Sequence, residues 1–189
     1  DVEAFRSVRQ ARTPGSPARL VSAAFFTPRK RLALLVSGYA LARPGLNATL
    51  TVIGDGPERA AIEALAVPGV NLTGALPRNR IAEELASADG FVLLSEFETF
   101  GVVYAEAMAS GLPVLASRCG GPEGFVNADV GVLTDAANPE AVAEDLRRFV
   151  DSLADYDPEI IRAYARTRFA PEVVAQELDQ VYREIPDPS

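Results

Sequence analysis

The chain contains no histidine and no tryptophan, one cysteine, one methionine, and a single lysine among 18 basic residues. Without histidine it cannot build a histidine-based catalytic triad, use an imidazole as general base or ligate a metal through imidazole from its own residues. The lone Cys119 excludes an internal disulfide and suits a reducing, cytoplasmic compartment. No apolar run reaches the roughly 18 residues that a membrane-spanning helix needs. The net charge is −8 with the basic residues scattered, so nucleic acid is not an expected partner. What is present is 189 residues of 48% hydrophobic composition, enough for one well-packed domain.

After a polar lead rich in proline and glycine, strand-like and helix-like segments alternate until about residue 134. The expected strands are 19–25, 48–54, 70–74, 90–94, 112–116 and 130–134. Most are continuously apolar, the pattern of parallel strands covered on both faces. Amphipathic segments are expected at 30–42, 57–66, 78–88 and 101–110. Right-handed crossovers of this kind build a Rossmann-like, doubly wound parallel α/β sheet of about six strands. From Pro139 to about Ile185 three helices are expected, each opened by a proline near its first turn. Residues 1–18 read as an interdomain linker and 19–189 as the domain.

In such a sheet ligands bind beyond the carboxyl ends of the strands, and the informative residues fall there. Gly54, Asp55 and Gly56 follow the second strand, Ser95–Gly101 the fourth, and Ser117–Gly124 the fifth. Glu98 and Glu106 flank one strand-to-helix junction. Glu106 lies inside an otherwise small and apolar helix, where an unpaired charge costs several kcal/mol, so a donor to it is expected. The amides of Phe100, Gly101 and Val102 lead into that helix and point outward with the positive end of its dipole, an arrangement suited to a phosphate or sugar oxygen.

Five segments carry a resemblance to a known family. Asp1–Phe5 (DVEAF), VIGDGPE (52–58), LSEFETFGVVYAEAMASGLPV (94–114), CGGPEGFV (119–126) and RFAPEVVAQELDQVY (168–182) resemble the C-terminal, donor-binding domain of GT-B glycosyltransferases, specifically glycosyltransferase family 4. The paired-glutamate segment is specific; the GDG turn alone is weak. The resemblance implies half of an enzyme, retaining and without a metal or other cofactor, with a nucleoside diphosphate sugar as co-substrate. The acceptor, and any membrane-docking surface, would belong to an N-terminal half, without which the chain would bind and not turn over.

By the same resemblance Glu106 accepts hydrogen bonds from ribose hydroxyls, and Glu98 faces hydroxyls of the transferred sugar. Lys30 neutralises charge on the leaving diphosphate, which makes Lys30 and Glu98 the expected catalytic groups. Gly54, Gly120 and Gly121, with Phe100, Gly101 and Val102, are expected around the donor, and residues 76–80 near the base. Glu123 and the Asp155-Tyr156-Asp157 run are not expected in the site. One position departs from the family: Phe25 stands where an arginine would join Lys30 on the diphosphate. That departure keeps a second class open, a non-catalytic domain of the same fold that serves as a protein assembly partner.

Overall fold

Six segments form one all-parallel sheet, the inner ones apolar because their side chains are covered from both sides and the outer ones partly exposed. The computed structural model describes Phe5 and residues 15–184. The expected linker therefore lies mostly outside the described residues. The strands are β1 (Ala18–Ala23), β2 (Ala48–Ile53), β3 (Val70–Gly74), β4 (Gly90–Leu93), β5 (Val114–Ser117) and β6 (Gly131–Thr134). Every residue of β4 and β5 is buried. The spatial order is β3-β2-β1-β4-β5-β6, a doubly wound sheet whose direction of growth reverses between β1 and β4. These two strands pair at Leu20–Gly90 and Val21–Phe91, and in a sheet of this order a binding crevice belongs beyond them at the carboxyl end.

Seven helices complete the layers among the described residues. They are α1 (Leu32–Ala42), α2 (Arg59–Glu63), α3 (Arg78–Ser87), α4 (Val102–Ala109), α5 (Pro139–Ser152), α6 (Pro158–Phe169) and α7 (Pro171–Glu184). Proline opens each of the last three, as expected. Asn138 caps α5 by accepting from the Ala141 amide at 2.9 Å, and Asp157 caps α6 by accepting from Glu159 at 2.8 Å. α5 buries Val142, Ala143, Leu146 and Phe149 on one face and packs on α1.

Two expectations are corrected. β1 stops at Ala23 instead of running to residue 25, because the chain turns so that the Phe26 amide bonds the Asp55 carbonyl at 2.8 Å. Phe26 takes the buried place and Phe25 is left 65% exposed. The 101–110 segment is not amphipathic in its setting: α4 buries Tyr104, Ala105, Ala107, Met108 and Ala109, because α6 covers the side facing away from the sheet. No helix among the described residues is long and apolar enough to cross a membrane.

Candidate functional site at the strand reversal

The loops leaving β1 and β4 meet at the crevice and are laced together, the Glu96 amide donating to the Arg29 carbonyl at 2.8 Å. Pro28–Lys30 form a single 3-10 turn, which brings Lys30 over the crevice. Its Nζ donates to Glu98 Oε1. Ser95 Oγ donates to the same oxygen at 2.9 Å, and Ser117 Oγ in turn donates to the Ser95 carbonyl. The Glu98 backbone is fixed as well: its amide donates to the Cys119 carbonyl at 2.9 Å, and its carbonyl accepts from Gly121 at 2.7 Å. The structure thus joins Lys30, Glu98, Gly120 and Gly121, the residue pair farthest apart being separated by most of the sheet's sequence. Ser95 and Ser117 open two of the rim segments expected from the sequence, but neither is given a role there.

Beside this pair, α4 begins at Gly101, which has φ 81° and no side-chain cap. Glycine adopts that left-handed conformation without steric cost. Among the described residues no acceptor takes up the amides of Phe100, Gly101 or Val102. An uncapped helix start with free amides is suited to an anionic oxygen. The Phe100 ring does not face this space; it packs on Phe125 and Phe169, with centroids 5.6 and 5.4 Å away. Gly121 is required by close approach, since a Cβ there would lie 2.7 Å from Phe100 Cα.

Glu106 lies farther along α4 and meets α3. Arg78, the first residue of α3, donates from Nη2 to Glu106 Oε1 at 3.1 Å, and its guanidinium also sits 5.2 Å from the centroid of the Phe5 ring. This supplies the donor that the apolar setting of Glu106 demanded. Burial pushes the Glu106 carboxyl above its ordinary value of 4.5, and Arg78 opposes that shift. Burial also raises the phenol of Tyr104 and the thiol of Cys119, so both stay protonated near neutrality. Tyr104 donates to the Leu93 carbonyl at 2.7 Å and joins α4 to β4.

Other singled-out residues have local explanations. A Cβ at Gly54 would lie 1.9 Å from the Ala24 carbonyl oxygen, so this glycine serves the approach of the two loops and is not joined to the Lys30–Glu98 group. Glu123 accepts from the Gly120 amide at 3.0 Å within its own turn. Asp155, Tyr156 and Asp157 lie beside Ala128 and Asp129, which precede β6, away from the carboxyl rim. Among the described residues no cluster of three or more His, Cys, Asp or Glu could hold a metal ion.

Taken together, the rim presents a cation, free amides and two carboxylates, a set able to engage an anionic group and several hydroxyls at once. Comparison with known proteins agrees in kind. A family model described as glycosyl transferases group 1 matches residues 17–152. The N-acetyl-alpha-D-glucosaminyl L-malate synthase of Bacillus anthracis is 30% identical over 173 residues, covering 88% of this chain and 45% of that protein. The GDP-mannose-dependent alpha-mannosyltransferase of Corynebacterium glutamicum is 41% identical over 90 residues, 47% of this chain and 22% of that protein. The structure of sucrose-phosphate synthase from Thermosynechococcus elongatus matches with a TM-score of 0.82 at 27% identity, covering 97% of this chain and 50% of that one. Anabaena HepE in complex with UDP and glucose matches with a TM-score of 0.78 at 20% identity, over 98% and 55%, a likeness of fold. The chain spans less than half the length of these two sequence relatives.

Proposed function

The chain belongs to the glycosyl transferases group 1 family, and from that premise we propose that it is the donor-binding half of an enzyme that moves a sugar from a nucleoside diphosphate to an acceptor. The observation that carries this reading is the meeting of Lys30 and Glu98 at the strand reversal, beside the uncapped start of α4. In the reading, Lys30 Nζ and the amides of Phe100, Gly101 and Val102 take the diphosphate, where negative charge grows as the glycosidic bond breaks. Glu98 turns to hydroxyls of the sugar. Glu106 accepts from the ribose diol, each charge-assisted bond contributing about 1.5–3 kcal/mol. Charge neutralisation is given to the protein's own cation and amides without a metal, and the anomeric configuration is retained, as the resemblance to family 4 implies.

The base and sugar are left open by this reading. One relative is named for GDP-mannose and one structural neighbour holds UDP. Calorimetric titration of the chain with UDP, GDP and ADP and their sugars tests it. The expected result is binding of at least one of them with a Kd of ~0.1–1 mM or tighter, strongly weakened by Glu106→Ala. A folded chain that binds none of them overturns the reading. Phe25, apolar and 65% exposed at the mouth of the crevice, favours the second reading, a non-catalytic assembly domain. On that reading Glu106→Ala changes stability at most.

A further inference from the structure

We propose that the C-terminal half of α6 positions the donor site without touching the donor, through Tyr164, Arg168 and Phe169. This inference rests on the donor-binding reading above. The Gly120–Phe125 segment and the Phe100–Val102 segment form the floor of the proposed diphosphate site. They are in backbone contact, as the absence of room for a Cβ at Gly121 shows, so a shift of one presses on the other. The two are held from behind by α6. Tyr164 Oη donates to the Phe125 carbonyl at 2.6 Å, and Arg168 Nη2 donates to the Gly124 carbonyl at 2.6 Å. The Phe169 ring meets Phe125 and Phe100 edge-on, each at 5.4 Å between centroids.

The character of these contacts argues for positioning as well as for packing. Arg168 is exposed and Tyr164 half-buried, so neither is a core residue, yet both spend their donors on carbonyls of the glycine turn. Groups that bind charge must be held within about 0.5 Å of their productive places by their supporting residues. Here the free amides of Phe100, Gly101 and Val102 have no side-chain cap and no bonds of their own among the described residues to hold them. The clamp from α6 supplies that restraint. Glu106, on the body of α4 and bonded to Arg78, does not depend on it.

The consequence is a split between ligands. In the 189-residue chain, the double variant Tyr164→Phe with Arg168→Met keeps the ring and an unbranched apolar stem and removes both donors. It is expected to weaken the nucleoside diphosphate sugar about tenfold, one net hydrogen bond's effect, while the matching nucleoside monophosphate changes less than about twofold by ligand-observed NMR. Arg168→Lys, which restores a donor, is expected to recover part of the loss. Phe169→Leu should repeat the split through packing alone. Equal losses for the two ligands, or no loss with only a lower Tm, would overturn the clamp. Failure of Glu106→Ala to weaken either ligand would instead defeat the donor reading, and this inference with it.

Discussion

Glu98, in the loop before α4, and Glu106, on α4 itself, are both ion-paired, and the pairs are built differently. Glu98 is 9% exposed; its partners are a lysine with an 18% exposed side chain and a serine that is itself held by Ser117. Glu106 has a 17% exposed side chain, but its partner Arg78 is 55% exposed. The first pair is enclosed by three rim loops, so replacing one partner leaves a charge with little water to turn to. The second is reached from solvent on the arginine side, and the proposed function has a ligand hydroxyl take the place of a guanidinium N–H there. One carboxylate is built into the rim with enclosed partners, and the other has a partner open to solvent.

The contrast can be broken most directly at Lys30. Lys30→Met leaves Glu98 enclosed without its cation and is expected to cost about 3–5 kcal/mol in urea denaturation. A loss below about 1 kcal/mol would show the pair to be as solvent-relaxed as the one at Glu106. Glu106→Ala should do the reverse, leaving stability within about 1 kcal/mol and weakening donor binding about a hundredfold in calorimetry, the loss of one to two charge-assisted bonds.

Acidification sharpens the comparison further. Because burial raises Glu106 above 4.5, the ionised form to which the proposed function gives the ribose hydroxyls is present above the raised value and is lost as pH falls through it. Donor affinity should therefore begin to fall at a pH above the ordinary glutamate range. For stability the sign is opposite. The fold favours the neutral acid more than the unfolded chain does, so this residue's contribution is complete below 4.5 and is lost as pH rises through the raised value. Glu106→Gln should remove both dependences, measured as affinity and as unfolding free energy across that window.

Arg78→Ala carries the smallest expected effect. Its partly exposed ion pair and its contact with Phe5 together contribute about 1 kcal/mol or less to stability. The removal of its charge should move the midpoint of the pH dependence of donor binding upward, since Arg78 opposes the rise at Glu106. A midpoint that stays in place would show that the guanidinium does not govern this carboxylate.

Much of the fold was legible because a parallel strand covered on both faces must be apolar throughout, and proline at a helix's first turn marks where α5, α6 and α7 start. The rim was legible for a related reason: β/α alternation places every strand-to-helix loop on one side. Phe25 was misassigned to a strand because Phe25 and Phe26 are chemically identical, and only the bond from the Phe26 amide to Asp55 decides which is buried. Gly54 and Gly121 look alike in sequence, yet one serves the approach to Ala24 and the other the approach to Phe100. Tyr164 and Arg168 had no role legible in the sequence, although Arg168 opens one of the segments that carry the resemblance, because their bonds go to backbone carbonyls that any residue carries.

By itself the sequence determined the alternation of elements, the acidic, histidine-free composition, and the placing of Glu98 and Glu106 on either side of a helix start. Tertiary structure alone decided which group donates to each of them. Lys30 is 68 residues from Glu98, Arg78 is 28 from Glu106, and Arg168 is 44 from the turn it clamps. Local pattern carries information over a few residues of helix or strand period, whereas these partners are set by where crossovers return each loop to the rim.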